Sequence, residues 1–209
     1  MPETLAPAAT PLLHAKLGDP RLLAEMIIDD GAVVEGHFEL LSGAHSDRFI
    51  RFSRIASEQD HLGAVTESLL PTVAAWLPTA VVAPATAGVA LANSLARRLG
   101  LPLFLASVGQ DGRATDIEHA ETLSAQRVLL VNDVVTTGQG MAALAAITAA
   151  SGATVAGACW FVTRASVDVE RMINAPAAAL AEVDLASWSA ASCPLCARDE
   201  ALTRAVEVN

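Results

Sequence analysis

Four short apolar runs narrow the folds open to this chain. Residues 80–83 (AVVA), 103–106 (LFLA), 127–132 (RVLLVN) and 154–162 (TVAGACWFV) are of strand length, and each is bounded by turn residues. Segments of helical length lie among them: 89–99, closed by Gly100, and 138–150, closed by Ser151-Gly152. A further helix is predicted over 58–76, ahead of the first run, and a polar stretch, 107–126, separates the second run from the third. Strands that are apolar on both sides, alternating with helices, dictate an α/β fold. Its sheet is mostly parallel and carries helices on both faces. A chain of 209 residues suits one domain, at most with a small appendage.

Ahead of this alternation, residues 1–18 place Pro2, Pro7 and Pro11 among alanines and read as a flexible arm. Asp19-Pro20 then opens a helix reaching Asp30. The Asp caps it, and the Pro occupies the first helical position, where its missing N–H costs nothing. Leu22, Leu23, Met26 and Ile27 share one face of that helix, and Gly31 ends it. Residues 32–41 and 48–54 follow, separated by the polar turn SGAHSD. The second of these, RFIRFSR, alternates bulky apolar with charged residues and reads as a half-exposed strand.

So many buried elements require apolar side chains, and 53% of the residues are hydrophobic against 17% charged. About a fifth of the chain is Ala and Tyr is absent, so the helices must pack closely on the sheet. With 13 basic against 23 acidic residues, the chain has no broad electrostatic footprint for duplex nucleic acid or an anionic membrane. Small molecules are the expected partners, with no nucleic acid and no membrane. Two uncharged stretches, 68–96 and 134–163, are long enough to cross a bilayer of about 30 Å. Pro71, Pro78 and Pro84 interrupt the first, and Gly138, Gly140 and Ser151-Gly152 the second, so both divide into helix, turn and strand. No secretory leader pattern opens the sequence, and three cysteines form no disulfide framework. The expected location is the cytoplasm.

Those cysteines are Cys159, in the fourth run, and the pair Cys193-x-x-Cys196. The pair is half of a zinc motif whose second cysteine pair is missing. His14, His37, His45, His61 and His119 show no ligand spacing. A turn carrying two reduced thiols is therefore expected, with no metal held by the protein's own side chains.

The third run carries the most chemistry: Val128-Leu129-Leu130-Val131-Asn132-Asp133-Val134-Val135-Thr136-Thr137-Gly138-Gln139-Gly140. A buried strand delivers its polar residues at its carboxyl end, where open α/β sheets bind ligands. Thr136-Thr137-Gly138 stands at a helix start, whose free N–H groups, hydroxyls and dipole suit a phosphate. Asp133 suits the vicinal hydroxyls of a ribose or a magnesium shell. An ordinary strand–turn–helix with Asp and Thr as caps remains the alternative. The segment is neither a Walker A loop nor a dinucleotide fingerprint, because the lysine and the glycine spacing are absent.

This segment resembles the PRPP-binding motif of type I phosphoribosyltransferases: an apolar strand, two acidic positions, two aliphatics, then Thr-Thr-Gly. GHFELLSGAHSDRF (36–49) is similar to the amino-terminal signature of orotate phosphoribosyltransferases. VVAPATAGVALANSLARRLGLPLF (81–104) resembles their diphosphate-loop strand and helix, and the CPLC tail (193–196) resembles the ending of one bacterial branch. The resemblance runs in the same order over residues 20–200. It implies the type I phosphoribosyltransferase fold with a small N-terminal hood, arranged as one domain over 19–209. Residues 19–75 would form the hood and base-side segment, 76–165 the core sheet with the PRPP site, and 166–209 the C-terminal segment.

It also implies transfer of ribose 5-phosphate from PRPP to orotate or a related base, with Mg²⁺ carried on the diphosphate and a homodimer as the assembly. Asn132, Asp133, Val134, Val135, Thr136, Thr137, Gly138 and Gln139, with Thr86 and Ala87 of the diphosphate turn, match the PRPP-binding positions. Phe38, Ser42, Gly43, Thr136 and Arg164 match the base side, where Arg164 would face the orotate carboxylate through its planar fork. Arg48, Arg51 and Arg54 are further candidates for phosphate contacts, although a solvated strand face accounts for at least two of them. Arg113 and Asp133 are the candidate catalytic residues.

The chain departs from the family's pattern at Asn132, where an acid is usual, at Gly140, where Ser or Thr is usual, and at Ala87, where a glycine is usual. The segment matching the mobile catalytic loop, SVGQDGRATDIEHAE (107–121), sets Arg113 and His119 against Asp111, Asp116, Glu118 and Glu121. Such a loop repels a diphosphate. The alternative function is therefore a catalytically impaired PRPP- or nucleotide-binding relative with a regulatory or partner-subunit role. A transferase acting on a cationic or neutral base is a third.

Overall fold

The computed structural model describes residues 12–204 apart from 30, 41, 87 and 165. In chain order the elements begin with β1 (Leu12–Ala15), α1 (Pro20–Ala24, continued by one π-helical turn, Glu25–Asp29), β2 (Val33–Glu39) and β3 (His45–Ile50). Next come α2 (Phe52–Ser57), α3 (Gln59–Ala75), β4 (Ala80–Pro84), α4 (Val89–Leu99), β5 (Leu103–Val108) and β6 (Ala114–Ile117). The remainder is β7 (Arg127–Val135), α5 (Gln139–Ala150), β8 (Thr154–Thr163), α6 (Val169–Ile173), β9 (Ala177–Asp184) and β10 (Thr203–Arg204).

Seven strands form one sheet in the order β1-β9-β8-β7-β4-β5-β6, and β10-β2-β3 form a second, small one. Pairing is parallel from β9 through β5, with the antiparallel strands β1 and β6 at the two edges. The period of two along the central strands divides the core. Val81, Ala83, Leu129, Val131, Cys159 and Phe161 face α1, α3 and α4, while Ala80, Val82, Val128, Leu130, Ala158 and Trp160 face α5 and α6. Cys159 is thus a core residue, and burial pushes its thiol pKa well above the ordinary range.

The four predicted runs and the helices over 58–76, 89–99 and 138–150 lie where the sequence places them. No helix among the described residues is long and apolar enough to cross a membrane. Asp19 caps α1 as expected, its carboxylate accepting from the Arg21 N–H at 2.8 Å.

Other expectations need correction. Residues 12–15, assigned to the arm, pair antiparallel with β9, whereas residues 1–11 lie outside the described part. The run over 48–54 is not one strand: β3 stops at Ile50 and the chain turns into α2. The reason is a change of core. Phe49 packs with Phe38 in the small sheet, whereas Phe52 and Ile55 enter the main core, where the Phe52 ring lies 5.3 Å from that of Phe161. A helix presents positions three apart on one face, and a strand does not. Residues 107–121 are no open loop either, since β5 and β6 form a paired hairpin. The two thiols of the CPLC turn are free, and they pack against His37 and His45.

Tight packing has one sharp point, at Gly157 on β8. A Cβ there would lie 2.2 Å from Cε3 of Trp76, at the end of α3, so the indole occupies the space a side chain would need. Gly157→Ala is expected to lower stability by about 1–3 kcal/mol through overpacking, measured by denaturant unfolding. Unchanged stability would contradict this contact.

Candidate functional site

The parallel strands β4, β5, β7 and β8 all end at the same edge of the sheet. β7 is sealed from Val128 to Val131 and becomes half-buried at Asn132, Asp133 and Val134. The chain then passes through Thr136 and Thr137 to Gly138, which adopts φ +75° and leads into α5. Its φ calls for glycine, since that conformation disfavours any side chain, and a Cβ would in addition displace the flexible end of Met172, whose Sδ lies 2.7 Å away. The first turn of α5 leaves backbone N–H groups without helical partners.

These groups border a cavity of about 370 Å³. Its wall comprises Asn132 and residues 134–141 from the strand end and helix start, residues 111–113 from the β5–β6 hairpin, and Ser42 from the turn between β2 and β3. Seven of the positions that match the PRPP motif, Asn132 and Val134 through Gln139, therefore share one wall, together with Gly140. Asp133 stands beside that wall and Thr86 is exposed on the neighbouring turn. Ala87 lies outside the described residues. The turn nevertheless sits directly on the strand end. A Cβ on Gly88 would lie 3.0 Å from Asn132 Oδ1 and 3.1 Å from both Asn132 Cα and the Asp133 nitrogen.

Two buried polar groups mark this edge. Asn132 Oδ1 is buried with no hydrogen-bond partner among the described residues, an arrangement that costs free energy until a donor arrives. Burial pushes the Asp133 carboxyl above its ordinary pKa, and hydrogen bonds from backbone N–H groups, including that of Val134, pull it partly back.

Across the cavity, Arg113 donates through Nη2 to Gln139 Oε1, tying the hairpin tip to the start of α5. Its Nε lies 3.7 Å from Asp111 Oδ2, so the one cationic side chain in the wall among the described residues is partly neutralised by its neighbour. His119, on the same segment, lies between Glu118 and Glu121 at 3.8 and 3.6 Å.

The base-side candidates divide. Ser42 and Thr136 line the cavity, whereas Phe38, Gly43 and Arg164 do not. Phe38 packs its ring 5.7 Å from that of Phe49, and Gly43 forms the hairpin turn at φ +77°. Arg164 is only 4% exposed. It donates from Nη1 to the Arg48 carbonyl at 3.0 Å and from Nη2 to Ser46 Oγ at 2.7 Å, joining the end of β8 to β3. Burial lowers its pKa to about 10, and the charge of Asp47 opposes that shift. Arg48 is itself buried, with its guanidinium 3.4 Å from Glu35. Neither it, Arg51 nor Arg54 lines the cavity.

A parallel sheet whose central strand feeds a Thr-Thr-Gly helix start, with a glycine turn of the next strand pressed against it, defines the class: a phosphoribosyltransferase. The phosphoribosyl transferase domain profile matches residues 56–176, which spans β4 through β8, and the chain belongs to that family. Within the family it groups with the orotate phosphoribosyltransferases. It is 31% identical to the one from Pelotomaculum thermopropionicum over 79% of this chain and 86% of that one, and 31% identical to the one from Maricaulis maris over 78% and 84%. The crystal structure of orotate phosphoribosyltransferase from Aeropyrum pernix superposes with a TM-score of 0.63 at 28% identity, covering 77% of this chain and 93% of that one.

The raised Asp133 pKa has a consequence for the free protein. A carboxyl whose folded pKa exceeds its unfolded value favours folding only while protonated, and that contribution is lost as pH rises through the folded pKa. At neutral pH, where the unfolded carboxyl is ionised, burying this group therefore works against folding. Asp133→Asn is expected to raise the stability of the free protein by about 1 kcal/mol in thermal unfolding at pH 7, with the gain shrinking as pH falls through the carboxylate range. A loss of stability would contradict the burial assigned to this carboxyl.

Proposed function

We propose that the chain transfers the phosphoribosyl group of PRPP to orotate or a closely related base, releasing pyrophosphate. The observation that carries this reading is the single cavity in which the helix start at 136–140 meets Ser42 of the β2–β3 turn. One end offers N–H groups and hydroxyls for a 5′-phosphate, and the other offers the segment whose sequence matches the base side. Asn132 is part of the same wall and Asp133 follows it, so the ribose hydroxyls would donate into the buried Asn132 Oδ1, unpartnered among the described residues, and the Asp133 carboxyl. Arg164 supports the base side from behind by holding Ser46 and Arg48 of β3 in place. Phe38 and Gly43 shape the same hairpin.

The donor set near the strand end is one carboxylate and one amide oxygen. It is too small for a cage around Mg²⁺ and fits a hydrated ion held mainly by the substrate's diphosphate. Bound there, Mg²⁺ would supply neutralisation of the leaving pyrophosphate. The protein's own contribution is to fix the phosphate end, orient the ribose and place Arg113 over the diphosphate side. Homodimer formation and a cytoplasmic location complete this reading. A neighbouring copy would bring cationic groups that this wall lacks.

The pairing of Arg113 with Asp111 favours one further reading, a relative that binds PRPP with little turnover. Incubation with PRPP, Mg²⁺ and orotate, following orotidine 5′-phosphate by mass spectrometry, separates the two. Transfer predicts product above a heat-treated control, and Arg113→Ala should lower kcat by about 10²-fold. PRPP binding without product from any base, pyrimidine or purine, would establish the second reading.

A further inference from the structure

The turn at residues 193–196 meets the β2–β3 hairpin on the side of the small sheet reached by the C-terminal tail. His37 lies in the irregularity of β2 between Glu35 and Phe38, and His45 of β3 pairs directly with Glu39. The two buried imidazoles meet on one face of the hairpin, their ring centroids 5.0 Å apart. The tail comes back to that face: Trp188 exchanges two backbone hydrogen bonds with His45, both 2.8 Å, and β10 adds a parallel strand along Phe38 and Glu39. The 3₁₀ turns between these two contacts deliver Cys193 and Cys196 onto the imidazoles.

The resulting cluster is compact. His37 Nε2 lies 3.0 Å from His45 Nδ1, 3.5 Å from Cys193 Sγ and 3.6 Å from Cys196 Sγ, and Cys196 Sγ lies 3.2 Å from His45 Nδ1. All four donor atoms fall within 4.8 Å of one another, and His37, His45 and Cys193 are buried. With Zn–N near 2.0–2.1 Å and Zn–S near 2.3 Å, a tetrahedral ion has edges of about 3.4 Å between nitrogens, about 3.5 Å from nitrogen to sulfur and about 3.8 Å between sulfurs. The cluster already approximates that shape.

A second feature points the same way. His37 Nδ1 lies 2.9 Å from the Glu200 carbonyl, so Nδ1 carries the proton and Nε2 presents a lone pair to the cluster. A backbone carbonyl that fixes the tautomer of a metal-binding histidine is a recurrent outer partner of zinc ligands.

We infer that His37, His45, Cys193 and Cys196 form a four-coordinate structural zinc site that ties the C-terminal tail to the hairpin bearing Ser42. Two thiolates and two neutral imidazoles in a tetrahedron select Zn²⁺ over hard cations such as Mg²⁺. Four protein ligands leave no open position, so the ion organises the fold and does not activate water. The site is separate from the proposed transferase cavity, whose wall contains none of the four residues.

The test uses the full chain, purified without a histidine tag or chelator. Elemental analysis should find one zinc per chain. Replacement by Co²⁺ should produce the visible ligand-field bands of a tetrahedral site together with thiolate-to-cobalt charge transfer. Cys196→Ser should weaken zinc binding at least tenfold, whereas Cys159→Ala, in the core of β8, should retain full zinc and the cobalt spectrum. Should Cys196→Ser fail to fold, the wild-type protein decides by itself: a strong chelator should remove the zinc and lower the thermal midpoint, and added Zn²⁺ should restore it. Folded wild-type protein that neither contains nor takes up zinc and gives no cobalt–thiolate band would overturn the site. Full zinc content in a folded Cys196→Ser protein would overturn this ligand set.

Discussion

The site depends on the sealing of β7. Val128, Leu129, Leu130 and Val131 are each fully buried, between α3 and α4 on one face and α5 and α6 on the other. A strand enclosed on both sides cannot carry a polar side chain cheaply until it leaves the sheet. Asn132, Asp133, Thr136 and Thr137 therefore collect within six residues at its carboxyl end, where the first turn of α5 has N–H groups to offer. The glycines follow from the same crowding. Gly88 permits the neighbouring turn to touch Asn132 and Asp133, and Gly138 permits the turn into α5 beneath Met172.

The base side is held by different forces. The small sheet has only a modest apolar cluster of its own, built on Phe38, Leu40 and Phe49. Ile50 of β3 and Val33 of β2 join it to the main core, and polar contacts orient it, above all the buried Arg164 guanidinium on Arg48 and Ser46 and the Ser46 hydroxyl on the Ala186 carbonyl. Such contacts are directional. They fix orientation better than they add net stability, because each buried charge loses hydration for its hydrogen bonds. A metal between hairpin and tail would reinforce an element that has little core to stand on.

Much of the main sheet was legible in the sequence because its signals are local. Apolar runs at 80–83, 103–106, 127–132 and 154–162 and the caps at Asp19 and Gly100 report their own conformation, and the Thr-Thr-Gly segment reports its position relative to a strand. β9 was not legible. Its alanines have little intrinsic preference for strand, and it forms because β8 and β1 flank it. The β5–β6 hairpin escaped for a related reason, since its polar residues pair across one edge. The protein partners of Arg164 come from β3, over a hundred positions earlier, so no local signal announces them. The cysteine pair likewise lacked a visible complement, because His37 and His45 become neighbours only once β2 and β3 pair, and meet the thiols only when the tail returns.

The most direct test of the central claim is amide hydrogen exchange of the full chain with and without PRPP and Mg²⁺. Slowed exchange should concentrate in the backbone N–H groups of residues 134–140, with a smaller effect in the turn at 84–88. Binding that leaves those amides exchanging at their free rates, or that protects another part of the chain, would contradict that claim.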